Sequence, residues 1–202
     1  MKRFKDFLAE NGLHVFDIDD TLFHTSAKVH VKKGDKTVQK LSSSEFNSHK
    51  LPAGHHYDYS EFHSADKFDA ESKPISRMMG KLKSIHNAVK KTGSGKVIMN
   101  TARQDFDDKH KFLDTFRKHG VDIDDIHVHR AGNESTAKKI PIGVAKNNVI
   151  KKHLRTGNYS HVSLYDDSKE NLDHFNDLSK EHPDVKFHAY HVQPDGKVKK
   201  HK

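Results

Sequence analysis

Residues 13–22 read Leu-His-Val-Phe-Asp-Ile-Asp-Asp-Thr-Leu. A short apolar run ends in two aspartates, Asp17 and Asp19, one residue apart, with Thr21 following. In an extended chain alternate side chains share a face, so both carboxylates would lie on one side. Carboxylates that close repel, so the arrangement needs a reason. A hard divalent cation such as Mg²⁺ takes carboxylate oxygens and removes that repulsion. Read alone, the pair fits a turn or a metal site as well as a catalytic one.

Working outward, short apolar strands alternate with amphipathic helices. Leu13–Ile18 is the first expected strand, and Lys96–Asn100, Ile126–His129, Val162–Tyr165 and Phe187–Val192 are the next four in the core. Between them, Pro74 is expected to open a helix carrying Ile75, Met78, Met79, Leu82, Ile85 and Val89, stopped by Gly93. A second helix carries Phe106, His110, Leu113 and Phe116, with Asp105, Asp107 and Asp108 in its first turn. Residues 130–143 read as a polar connection. Val149, Ile150 and Leu154 mark a third helix, and Ser168 caps a fourth with Leu172, Phe175 and Leu178. Strand–helix alternation predicts an α/β fold, a Rossmann-like three-layer sandwich with a mainly parallel sheet. Ligands in such sheets bind beyond the carboxyl ends of the strands. Asp17 and Asp19, Thr101, and Asp166 and Asp167 each fall at such an end.

The chain has 202 residues, 33% of them apolar and 32% charged, with a formal charge of +8. Its length fits a single domain, 1–202, holding one insertion. A basic surface favours nucleotides, nucleic acid or other phosphorylated ligands, and equally describes a merely solvated face. The absence of cysteine excludes disulfides, thiolate catalysis and zinc-thiolate sites. The nineteen histidines show no H-E-x-x-H spacing and read as scattered surface residues. Residues 1–12 lack a signal-peptide core. Phe4, Phe7 and Leu8 have helical spacing there, and Gly12 is placed to stop that helix. No segment is long and apolar enough for a membrane helix, so a cytoplasmic protein is expected.

Four segments together resemble the haloacid dehalogenase (HAD) superfamily of phosphohydrolases. They are Phe-Asp-Ile-Asp-Asp-Thr (16–21), Val-Ile-Met-Asn-Thr-Ala-Arg (97–103), Ala-Lys-Asn-Asn-Val-Ile (145–150) and Leu-Tyr-Asp-Asp-Ser (164–168). The resemblance implies a Mg²⁺-dependent phosphatase. Asp17 would be the nucleophile and Asp19 the general acid and base. Asp17, the backbone carbonyl of Asp19, Asp166 and Asp167 would hold the metal. Thr101 would bind a phosphoryl oxygen, Lys146 would neutralise charge, and Arg103 would meet substrate or form a structural salt bridge. Asp20 stands where many members carry glycine. Lys138, Lys139, Lys151 and Lys152 compete with Lys146 for the lysine role; Lys146 fits best because Val149 and Ile150 follow it.

Residues 24–73 occupy the place where the family carries a cap. Val29–Val31 and Thr37–Leu41 flank Lys33-Gly34-Asp35-Lys36, a β-hairpin turn that would form a flap. Phe46, Tyr57, Tyr59, Phe62 and Phe68 would form a small lid, suited to base stacking or to a minimal core of its own. Tyr165-Asp166-Asp167 and His174-Phe175 narrow the resemblance toward small phage-encoded members and the phosphatase half of polynucleotide kinase-phosphatases. A nucleotide or a polynucleotide 3′-phosphate is then the expected substrate. No G-x-x-x-x-G-K-[ST] loop is present, so no kinase half is expected. A nucleic-acid-binding protein on this scaffold, or a small-metabolite phosphatase or phosphotransferase, are the competing readings.

Overall fold

The computed structural model describes residues 11–46 and 48–202. The helix expected around Phe4, Phe7 and Leu8 lies outside them. In chain order the strands are β1 (Gly12–Phe16), β2 (Phe23–His24), β3 (Val29–Lys33), β4 (Lys36–Leu41), β5 (His56–Asp58), β6 (Lys73–Pro74), β7 (Lys96–Thr101), β8 (His127–Arg130), β9 (His161–Asp166), β10 (Lys186–Val192) and β11 (Val198–Lys200). The helices are α1 (Ser43–Phe46), α2 (Ala65–Glu71), α3 (Ser76–Thr92), α4 (Lys109–Lys118), α5 (Ala131–Lys138), α6 (Ile142–Thr156) and α7 (Lys169–Ser179).

The main sheet has the order β11-β10-β9-β1-β7-β8, parallel throughout except for β11 at its edge. All five residues of β1 are buried, as a central parallel strand covered on both faces requires. On one face Phe16, Tyr165 and Met99 pack against Met78, Leu82 and Ile85 of α3 and Phe112 and Phe116 of α4. On the other, Leu13, Val15, Ile98, Val162 and Leu164 pack against Val149 and Ile150 of α6 and Leu172 and Phe175 of α7. The expected α/β three-layer architecture is therefore the one observed. Connections leave β1 toward β7 and β8 and then return to β9 and β10, so the strand order reverses at β1/β9. That reversal opens a crevice at the carboxyl ends.

Several expected boundaries shift. The first strand ends at Phe16, because the chain turns away after Asp17. Pro74 does not open a helix; it pairs with Phe23 in the β2–β6 ribbon, and α3 starts two residues later. The Phe106 helix starts at Lys109, where Asp108 caps it by accepting the Lys111 amide at 2.9 Å. His110 is exposed, while Phe106 sits before the helix and stacks on Phe112 with 3.9 Å between centroids. The expected polar connection 130–143 is mostly α5. That helix buries only Ala131 and Gly132, so it presents no apolar stripe to read. A Cβ at Gly132 would overlap the carbonyl oxygens of Ala102 and Arg103, so glycine there permits a close approach to the loop after β7.

The insert begins and ends in the β2–β6 ribbon. The expected hairpin is present as β3 and β4, with Gly34 at φ 55° in its turn, and β5 adds a third strand. Val29, Val31 and Leu41 form a separate small core, against which Phe46, Tyr57 and Phe62 pack. Phe68 instead joins the main core, meeting Phe23, Phe112 and Phe116.

The histidines are not all surface residues. His14 and His161 are fully buried on adjacent strands, with ring centroids 5.4 Å apart, and His188 follows His161 at 6.1 Å. Burial, then the charges of His161 and His188, push the His14 imidazole down to about 4 from 6.5. An unfolded chain therefore takes up this proton as pH falls through 6.5, and the folded one only near 4. Stability is lost across that window, by about 3 kcal/mol for this group. Denaturant unfolding at pH 7, 5.5 and 4.5 should show this acid loss, and His14→Leu should flatten it by about one proton. An unchanged slope in His14→Leu would assign the loss to other groups.

Candidate active site

β1 and β9 are hydrogen-bonded neighbours, with Phe16 opposite Tyr165, and the Asp17 amide donates to the Tyr165 carbonyl at 3.0 Å. The register sets Asp17 and Asp166 side by side where both strands run out. Lys146 projects from α6 between them. Its Nζ donates to Asp17 Oδ1 at 2.8 Å and to Asp166 Oδ2 at 2.7 Å, with all three side chains buried. The Asn100 amide, from β7, donates to the Lys146 carbonyl at 3.0 Å and ties α6 to the sheet edge. Of the competing lysines, Lys138 and Lys152 meet Glu134 and Lys151 meets Glu181 instead. Lys146 lies one turn into α6 rather than in the first turn, because Ile142 already begins the helix.

The electrostatics are those of crowded acids around one cation. Burial pushes the Asp17 carboxyl up to about 7; Lys146 pulls it down, while Asp166 and Asp19 raise it further. Burial alone would lower the Lys146 ammonium, but Asp166 and Asp17 outweigh it and hold it above the ordinary lysine value. Asp167 is held well above a normal carboxylate by loss of water, then by Asp166 and Asp17. Asp166 has further donors on its carboxylate. Beyond Lys146 it accepts from the Ser168 amide at 2.9 Å and from Asn171 Nδ2 at 3.1 Å. Ser168 caps α7 as expected, accepting the Asn171 amide.

Asp17, Asp166 and Asp167 each bring an oxygen to within 4.8 Å of the others. An all-oxygen anionic donor set suits Mg²⁺ or a similar hard cation, not a soft metal. The residues present therefore fit the metal that the sequence implies. The side chain of Asp19 is not part of that cluster; Arg103 binds it through two N–H groups at 2.7 and 2.8 Å.

The chain turns sharply after Asp19. Asp20 adopts φ 53°, a left-handed conformation that glycine takes without strain and aspartate tolerates. This is the physical reason a glycine suits this position. Thr101 ends β7 fully buried, and its Oγ1 accepts the Arg103 amide at 3.1 Å.

A cleft of about 490 Å³ opens over these groups. Asp17, Asp19, Lys146 and Asp167 line it on the sheet side, and Phe46, Tyr57, Tyr59 and Phe62 of the insert also line it. Thr101 and Asp166 are not among its lining residues. Sequence reasoning missed Asn171 and Asn100. A polar residue beside apolar Leu172 at the start of a helix was the available signal for Asn171.

No family model matches the chain, and no curated protein matches it. A similar solved structure is the HAD domain of effector protein Lem4 from Legionella pneumophila, at 12% sequence identity and a TM-score of 0.49, covering 90% of this chain and 87% of that one. Among the described residues no helix is long and apolar enough to cross a membrane.

Proposed function

We propose that this chain is a metal-dependent phosphomonoester hydrolase of the HAD type, working through an aspartyl-phosphate on Asp17. The observation that carries this reading is Lys146 bridging Asp17 and Asp166 at adjacent strand ends, with Asp167 and Asp19 at the same cleft. A Asp17 carboxylate oxygen attacks phosphorus as the P–O ester bond breaks, and Asp19 gives its proton to the leaving oxygen. Asp19 then takes a proton from water, whose oxygen attacks phosphorus, releasing phosphate and restoring Asp17. Lys146 offsets charge on the nucleophile and the incoming phosphate. Thr101, buried and outside the cleft lining, accepts the Arg103 amide and holds the start of the loop that carries Arg103. Mg²⁺, held by Asp17, Asp166, Asp167 and the Asp19 carbonyl, would supply the remaining charge neutralisation.

The substrate we favour is a nucleotide or a polynucleotide 3′-phosphate, met in the cytoplasm. The cleft is far larger than a phosphate group needs and falls in the size range of ligand pockets. Its aromatic wall suits a stacked base, and the +8 charge suits a polyanion. Turnover should be measured on a panel of nucleotides, small phosphate esters and 3′- and 5′-phosphorylated oligonucleotides. Phosphate release is expected with Mg²⁺, lost in EDTA and restored on adding Mg²⁺, fastest with the 3′-phosphorylated oligonucleotide or a nucleotide. Salt-dependent oligonucleotide binding with no hydrolysis of any ester would instead support a binding protein.

A further inference from the structure

We infer that Arg103 is the positioning residue for Asp19, and that through it the placement of Asp19 depends on the seating of the insert. This rests on the phosphatase reading above. Arg103 is 3% exposed, so its guanidinium must be satisfied inside the protein. Nε donates to Asp19 Oδ2 at 2.8 Å and Nη2 to Asp19 Oδ1 at 2.7 Å. Two parallel bonds on one planar fork fix both the position and the plane of the carboxylate. Among the bonds described, no other group holds the Asp19 carboxylate.

The remaining bonds all reach the insert. Nη1 donates to the Phe62 carbonyl at 2.8 Å, and Nη2 to Thr25 Oγ1 at 3.1 Å. Four of the five N–H groups of a guanidinium are spent this way. The rings of Phe62, Phe68 and Phe106 lie 4.9, 4.8 and 5.2 Å from its central carbon, two of them contributed by residues 24–73. The fork is thus held on one side by the loop after β7 and on the other by the insert. Moving the insert away breaks the Phe62 and Thr25 bonds and opens the guanidinium to water. Asp19, at the far end of the same fork, then loses its fixed orientation.

A misplaced acid slows the departure of a poor leaving group more than that of a good one. The test compares full-length wild type and Arg103→Lys, with Mg²⁺, on para-nitrophenyl phosphate and on phenyl phosphate, whose leaving oxygen is the more basic. Lysine keeps the charge but lacks the fork. The kcat ratio of the two substrates, taken on one preparation, is independent of how much protein is folded. General acid–base catalysis contributes on the order of 10²–10⁴-fold, so the ratio should shift by about tenfold or more against phenyl phosphate. Thr25→Val, which removes one bond on the insert side, should shift it the same way by less. Equal losses on both esters in Arg103→Lys, or a change confined to KM, overturn the positioning role while leaving the phosphatase reading intact. An unchanged ratio in Thr25→Val overturns the dependence on the insert. If wild type hydrolyses neither ester nor any member of the substrate panel, the phosphatase reading itself fails and this role with it.

Discussion

Asp17→Asn should abolish turnover of an aryl phosphate, by on the order of 10⁴-fold or more, while melting at or above the wild-type temperature in metal-free buffer at pH 8. The amide cannot form an aspartyl-phosphate, so the first bond-making step is lost. The stability effect follows from burial. The Asp17 carboxyl is pushed up to about 7 from 3.8, so its favourable contribution is present below 3.8 and lost as pH rises through 7. At pH 8 the wild type carries a buried charge crowded by Asp166 and Asp19, and asparagine removes it. Lys146 keeps its bond to Asp166. Phosphate release and thermal melting of the same preparation check both halves. Retained turnover would remove Asp17 from the chemistry, and a large drop in melting temperature would make it a structural anchor.

Lys146→Met should move stability in the opposite direction. It leaves Asp17, Asp166 and Asp167 together with no ammonium between them, and removing one partner from a buried ion network costs about 3–5 kcal/mol. In a domain of this size that lowers the melting temperature by about 10 °C. Millimolar Mg²⁺ should restore part of the loss, because a cation that binds only the folded acid cluster stabilises it by mass action. Activity should fall with the lost neutralisation of nucleophile and phosphate. Melting curves with Mg²⁺ and with EDTA separate the two contributions. Equal melting of the variant and wild type in EDTA would show that the lysine does not balance these acids.

The fold was legible because its signals are local. The apolar runs before Asp17, Thr101 and Asp166 and the Gly93 stop reflect strand burial and left-handed helix ends that any sequence must encode nearby. α5 left no such signal, since it docks through Ala131 and the close approach of Gly132 rather than through an apolar stripe. The insert between residues 42 and 73 was equally opaque. Its short elements are held by pairing to β3 and by Phe68 reaching the main core, contacts distant in sequence. In the site, Asp17, Lys146 and Asp166 meet because β1 and β9 share a register and α6 returns over them, which strand order alone decides. The partners of Arg103 in the insert could not be read at all. Phe62 contributes its backbone carbonyl, which no residue type announces.

The two-residue strands β2 and β6 place the ends of the insert side by side. A loop closed at such a neck tolerates changes in length cheaply, since each doubling adds only about 0.6 kcal/mol of closure entropy. Residues 25–72 can therefore lengthen, shorten or change sequence across a lineage without disturbing the sheet that holds the acids and lysine. The restrictions on that drift are Thr25, Phe62 and Phe68, which Arg103 touches. The architecture separates a part free to diversify from a part that is not, and the neck is where the two histories divide.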